Sequence, residues 1–147
     1  MVRRLRPDEL PALLRLYHFF HPEGTPPDAQ ADHLQKIWRD IQDNPALRYY
    51  GAEADGQIVS TCTLTINPNL THNGKPYGLL ENVVTDPQYR QRGFATQVLQ
   101  HAMQEAWALG CYKVMLLTGS KQEETLRFYE KAGLQHGIKT GFIAYPP

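Results

Sequence analysis

Glu81-Asn82-Val83-Val84-Thr85-Asp86-Pro87-Gln88-Tyr89-Arg90-Gln91-Arg92-Gly93-Phe94-Ala95-Thr96 reads as a strand, a loop and the start of a helix. Val83, Val84 and Thr85 are β-branched and favour a strand. Asp86-Pro87 stops it, because proline has no N–H for the next ladder bond. Beyond Gly93, apolar residues fall at Ala95, Val98, Leu99, Ala102, Met103 and Ala106, one face of a helix. The junction has the makings of an anion site. A helix start carries unpaired N–H groups and the positive end of the dipole. Gly93 lets the backbone approach a ligand, and Arg90 and Arg92 add positive charge. Phosphate suits such a turn. An ordinary strand-to-helix turn with arginines in water is the alternative reading.

Two common phosphate motifs are absent. No Gly-x-x-x-x-Gly-Lys-Ser/Thr occurs, and no Gly-x-Gly-x-x-Gly, which argues against a P-loop NTPase and a dinucleotide site. Arg90-x-x-Gly93-x-Ala95 does resemble the Arg/Gln-x-x-Gly-x-Gly/Ala signature of the GNAT acetyltransferase superfamily. Phe128-Tyr129-Glu130-Lys131-Ala132-Gly133-Leu134 is similar to that family's Phe-Tyr-Glu-Lys-x-Gly-Phe. Between them lie a helix, Gly110, a strand from Lys113 to Thr118 and a second helix, in the family's order. The resemblance is sharp from about Tyr77 to Leu134 and diffuse elsewhere.

At 147 residues the chain is one domain, large enough for a core. Its 41% hydrophobic and 20% charged residues are ordinary for a globular protein. Lys+Arg and Asp+Glu number 15 each, and this balance argues against a nonspecific nucleic-acid binder or a polybasic membrane surface. No apolar run approaches the roughly 20 residues of a membrane span. Met1 to Arg6 is basic, with no signal-peptide core after it, so a cytoplasmic location is expected. Cys62 and Cys111 have no metal spacing and read as buried free thiols.

Taken in order, Val2 to Arg6 is a short strand. Asp8 is placed to cap a helix with Leu10, Leu13, Leu14 and Tyr17 on its buried face. His18 and His21 follow, with no further ligand to make a metal site. Pro22 to Pro27 is a loop. Asp28 is placed to cap a second helix with Leu34, Ile37, Trp38 and Ile41 inward. Leu47 to Ala54 and Gln57 to Ile66 are strands joined at Asp55-Gly56, a hairpin signal. Asn67 to Pro76 is a long polar loop. Lys113 to Thr118 reads as a strand buried on both faces. A helix from Gln122 to Ala132 precedes two last strands, Leu134 to Ile138 and Thr140 to Ala144. The pattern predicts an α/β fold, a mixed sheet of about six to seven strands flanked by four helices.

The resemblance implies an acetyl-CoA-dependent N-acetyltransferase, with acetyl-CoA as co-substrate and no metal. It implies that pantetheine pairs with exposed backbone at Val83, Val84 and Thr85. Backbone N–H groups of Gln91, Arg92, Gly93, Phe94, Ala95 and Thr96 then hold the pyrophosphate beside Arg90. The family often has an asparagine on CoA before the helix tyrosine; Gln122 stands nearest that place here. Tyr17, Phe19, Phe20 and His21 fall where the family shapes its acceptor site, and they suit core filling equally. An amine with a pKa of about 10.4 needs a base. Glu81 is the carboxylate on the central strand, either that base or a structural partner of an arginine. Tyr129 matches the family's general acid beside the thioester sulfur, or anchors the core. Gly110-Cys111-Tyr112-Lys113, with Phe128 to Lys131, is similar to glucosamine-6-phosphate N-acetyltransferases, which hints at a small amine acceptor. A homodimer is implied by resemblance. A non-catalytic CoA-binding regulatory module is the alternative function.

Overall fold

A computed structural model describes residues 1–147. They form two compact units, Met1–Leu116 and Leu117–Pro147. The first holds one five-stranded sheet in the order β1 (Val2–Arg4), β2 (Leu47–Ala54), β3 (Gln57–Asn67), β4 (Tyr77–Thr85) and β5 (Val114–Leu116). The first three pairings are antiparallel; β4 and β5 run parallel. A hairpin at Asp55-Gly56 joins β2 to β3, with both residues at positive φ.

Helices cover both faces. On one face, α1 (Leu10–Tyr17) and α2 (Asp32–Asp43) bury Leu10, Leu13, Leu16 and Trp38 against Leu5, Ile58 and Val84. The Trp38 indole donates to Pro7 O at 2.8 Å, so its one polar atom is paired as the ring is buried. On the other face, α4 (Phe94–Ala108) packs on β2, β3 and β4. Its stripe of Val98, Leu99, Ala102, Met103 and Ala106 is buried, as the 3.6-residue spacing predicts. β3 is sandwiched between the helices, and Ile58 through Leu64 are all buried. Its hydroxyls are therefore paired; Thr61 Oγ1 donates to Tyr50 O at 2.7 Å.

The second unit holds α5 (Glu123–Lys131) and an irregular C-terminal segment. No helix in the chain is long and apolar enough to cross a membrane.

Several expectations are corrected. Five strands form, not six to seven, and there are five α-helical segments, not four: the β3–β4 loop winds a turn, α3 (Thr71–Gly74), with His72 and Asn73 at positive φ. Leu134 to Ile138 and Thr140 to Ala144 form no strand. Strand propensity is realised only through pairing and side-chain packing, and residues 138–145 are largely exposed. β5 is three residues long and half-buried, not a doubly buried strand to Thr118. Neither aspartate caps as predicted. Pro7–Glu9 form a 3-10 turn in which the Glu9 carboxylate accepts from Arg6 N at 2.6 Å. Asp28 accepts from Gln30 N at 2.9 Å, and α2 starts after Ala31. Ile37 is exposed.

Candidate active site at the splayed strand

β4 changes character halfway along. Gly78, Leu79 and Leu80 pair with Val114, Met115 and Leu116, and the pairing stops there. From Glu81 to Thr85 the β5 side of the strand has no ladder. On the β3 side the register slips: Thr61 faces Val84 while Thr63 faces Glu81, so β4 carries an extra residue. Asn82 sits in this bulge at φ 52°, the left-handed region that asparagine tolerates better than the β-branched residues around it. Two β3 hydroxyls reach over to the bulged strand. Thr63 Oγ1 donates to Glu81 O at 3.1 Å, and Ser60 Oγ lies 3.3 Å from Val84 O and 2.8 Å from Thr85 Oγ1. These bonds replace ladder contacts that the bulge disrupts.

At the end of β4, Asp86 is tied in three ways. Its carboxylate accepts from Arg15 Nη1 at 2.6 Å and from Gln88 N at 3.0 Å, and its own N–H reaches Val59 O at 2.8 Å. Burial alone would raise this carboxyl; the Arg15 guanidinium and the Gln88 N–H outweigh it and hold it below the usual range. Arg15 also donates to Ile58 O at 2.7 Å, so α1 braces the strand end.

The loop after Asp86 is anchored to the β2–β3 hairpin. Tyr89 Oη donates to Asp55 Oδ2 at 2.9 Å and accepts from Gln57 Nε2 at 3.1 Å. The Arg92 guanidinium stands 5.0 Å from the centre of the Tyr89 ring and 5.3 Å from that of Phe94, a cation–π arrangement that fixes its charge. Gln91 at φ 58° and Gly93 at φ 85° turn the chain into α4. Gly93 is the N-cap and offers no side chain, and no acid occupies the first turn. The helix's first hydrogen bond is Gln97 N to Gly93 O at 3.0 Å, which leaves the N–H groups of Phe94, Ala95 and Thr96 outside the helical pattern. Open N–H donors, a helix dipole and Arg92 suit an anion with several oxygens. Arg90 is exposed beside them.

Glu81 is exposed and its carboxylate makes no ion pair, so the reading in which an arginine holds it is corrected. Its charge faces Tyr49, whose hydroxyl is raised by burial first and by Glu81 second. The Tyr17 hydroxyl is buried without a well-formed hydrogen bond; the polar side chain facing it is Asn82. Burial pushes this phenol well above its usual range. Tyr17 and Phe19 pack against the core, whereas Phe20 and His21 are exposed. Cys62 is buried and its thiol is pushed up to about 12; burial also raises Cys111. Neither is an activated nucleophile.

The structure thus gathers Glu81, Val83, Val84, Thr85 and residues 90–96 along one strand-to-helix passage in the first unit. Tyr129 and Gln122 belong to the second unit. Tyr129 is half-buried on α5, its ring centre 4.9 Å from that of Phe128. Gln122 is the N-cap of α5, and its N–H donates to Ser120 Oγ at 3.3 Å. Sequence reasoning missed Asn82, Thr63, Arg15 and Tyr89. An asparagine just before the β-branched run 83–85, a residue that tolerates positive φ, was the one local sign of an irregular strand; the other three depend on partners at least 18 positions away.

A mixed sheet that opens at mid-strand, beside a helix start with bare N–H groups, defines a fold able to grip an extended ligand that ends in an anion. The model of the acetyltransferase (GNAT) family matches residues 10–134, across both units, and the chain belongs to this family. The chain is 38% identical over 80 residues to a glucosamine 6-phosphate N-acetyltransferase of Trypanosoma brucei brucei, a match covering 54% of this chain and 52% of that relative. It is 27% identical over 113 residues to the enzyme of the same name from Arabidopsis thaliana, covering 77% of this chain and 74% of the relative. A solved acetyltransferase candidate from Agrobacterium tumefaciens str. C58 superposes with a TM-score of 0.92 at 37% identity over 99% of both chains.

Proposed function

We propose that this chain is an acetyl-CoA-dependent N-acetyltransferase that moves an acetyl group to a primary amine of a small molecule, by direct attack in a ternary complex. The observation that carries the reading is the passage from the open half of β4 into the uncapped start of α4. The residues fit the co-substrate. Exposed backbone at Val83, Val84 and Thr85 offers amide pairing to a pantetheine arm, and the N–H groups from Gln91 to Thr96 with Arg90 and Arg92 suit a pyrophosphate.

Acetyl-CoA supplies a thioester carbonyl. Glu81, exposed and free of ion pairs, takes a proton from the acceptor ammonium, directly or through water, and frees the nitrogen lone pair. The new C–N bond forms as the C–S bond breaks, and the electron pair leaves on sulfur. Tyr129 gives its proton to that sulfur, the attacking nitrogen sheds its second proton to solvent water as the amide forms, and the phenolate is reprotonated from water. A thiol pKa of about 8.5 makes thiolate a tolerable leaving group, so Tyr129 contributes less than Glu81. Gln122 is the side chain proposed to contact CoA from α5. The family match over residues 10–134 supports reading the chain as a single acetyltransferase domain. The names of the two glucosamine 6-phosphate acetyltransferases favour a phosphorylated amino sugar as the acceptor to try first.

The test is thiol release from acetyl-CoA against amino sugar phosphates, free amino sugars, polyamines, amino acids and peptides. Turnover with one small-amine class is expected. CoA binding, read as a rise in melting temperature, with silence across the panel would favour the non-catalytic module. Gly93→Val puts a β-branched residue at φ 85°, where it is strained by about 1–2 kcal/mol, and crowds the N–H cradle. It should abolish the CoA-induced shift; an undiminished shift would remove the loop from the cofactor site.

A further inference from the structure

Where β4 loses its β5 ladder, α1 grips it from one face. At Asp86 the grip is the ion pair with Arg15 at 2.6 Å. Two positions earlier, Val84 sits in the cluster that α1 fills with Leu10, Leu13 and Leu16. Alternation along a strand sends every second side chain to one face, so Asn82 is the next residue due on that side. There α1 presents Tyr17, its last residue. Tyr17 Oη is buried and has no hydrogen bond of good geometry, and Asn82 is the polar side chain that faces it.

A buried hydroxyl without a partner destabilises a fold, and phenylalanine would fill the same space without that penalty. The Tyr17 ring packs against the core and lies 5.9 Å from the Phe20 ring, so its apolar part is accounted for and its oxygen is not. Asn82 is unusual in a complementary way. It has no ladder partner on either side, and its φ of 52° lies in a region that a residue with a side chain keeps only when its surroundings fix it.

We propose that Tyr17 and Asn82 form a latch that sets the bulge: the Asn82 carboxamide donates to Tyr17 Oη, which holds the left-handed turn of the strand and with it the direction of Glu81, so that Tyr17 is a positioning residue for acetyl transfer. The consequence for turnover rests on the acetyl-transfer reading; the geometry rests on α1 and β4 within one unit. Proton transfer stays with Glu81, because burial raises the Tyr17 phenol and keeps its proton in place.

Tyr17→Phe removes one oxygen and tests the latch. Melting temperature should stay level or rise, since the variant buries no unpaired polar atom. The kcat should fall about tenfold at unchanged KM for acetyl-CoA. Asn82→Gly deletes the carboxamide with a residue that accepts positive φ, and kcat should fall again. Because the two groups act as one, the double variant should lose no more than the worse single variant. Losses that multiply would overturn the latch, as would full kcat in Tyr17→Phe. A fall in melting temperature that matches the fall in kcat would make Tyr17 an ordinary core residue. One readout needs no substrate: in the unliganded chain, the side-chain N–H resonances of Asn82 should move on Tyr17→Phe, and unmoved resonances would overturn the proposal. A parent chain inert with every amine would instead sink the acetyl-transfer reading, and the same resonances would still decide the latch.

Discussion

The two halves of β4 are one continuous strand and behave as two materials. From Gly78 to Leu80 it is laddered on both sides, and Gly78 and Leu80 are buried. An added Cβ on Gly78 would stand 2.9 Å from Leu64 Cδ1 and 3.2 Å from Val114 Cγ2, so this half has no spare room. From Glu81 to Thr85 it keeps one neighbour, takes an extra residue and exposes Glu81 and Asn82. Tight packing leaves a strand nothing to offer a ligand. The lost ladder gives the upper half free backbone groups and a projecting carboxylate, and β3 hydroxyls restore part of what is lost. On the proposed reading, stability and function divide along these nine residues, and substitutions should separate them.

The largest effect belongs to the packed half. Leu80 is fully buried, and Leu80→Ala should cost about 2–5 kcal/mol of unfolding free energy. Chemical denaturation reads it. The folded fraction should keep its affinity for CoA; a specific loss of affinity at full folding would break the division between the halves. Glu81→Gln makes the opposite claim. Melting temperature should stay put, because an exposed carboxylate without an ion pair supports little. Turnover with the acceptor should fall about 100-fold as the base is lost, with CoA affinity unchanged. Wild-type turnover would remove Glu81 from the chemistry.

Thr63→Val probes the seam between the halves. It deletes the 3.1 Å bond to Glu81 O and nearly preserves shape. A part-buried carbonyl that loses its donor costs up to about 1 kcal/mol. Because the bond holds the backbone that carries Glu81, turnover should fall by more than CoA affinity does. Equal losses in both would make Thr63 an ordinary core residue.

How far the sequence could be read follows the same division. The α4 stripe was legible because its period is set by six side chains on one helix; five of them are buried where the spacing puts them, and Ala95, in the first turn, is half-buried. The turn at Gly93 was legible because its constraint is local: a positive φ and a bare N-cap. Local signals failed where the answer lay with a distant partner. The β-branched run at 83–85 gives a strand but not the bulge, which depends on register against Thr61 and Thr63. The apolar segment after Gly137 reads as strand and forms none in one chain, since a strand is a property of a pair. Asp86 read as a strand stop; its partner Arg15 lies 71 residues away.

That pair gives the smallest effect and the finest test of the comparison, because Asp86 closes the open half. Its carboxyl sits below its ordinary value of 3.8 in the folded chain. A depressed folded value means that the unfolded chain binds the proton more readily. The ion pair therefore contributes stability in full above about pH 4, and that contribution is lost as pH falls through the depressed folded value. Asp86→Asn removes the titration and should lower the melting temperature at pH 7. Below pH 4 the variant and the parent should converge. Glu9 is also held low, first by its bond to Arg3 and then by the Arg6 N–H, so the parent's acid limb carries two carboxyls. The variant isolates the Asp86 share, and a melting difference unchanged from pH 7 to pH 3 would show that Asp86 braces the strand end by shape, not by charge.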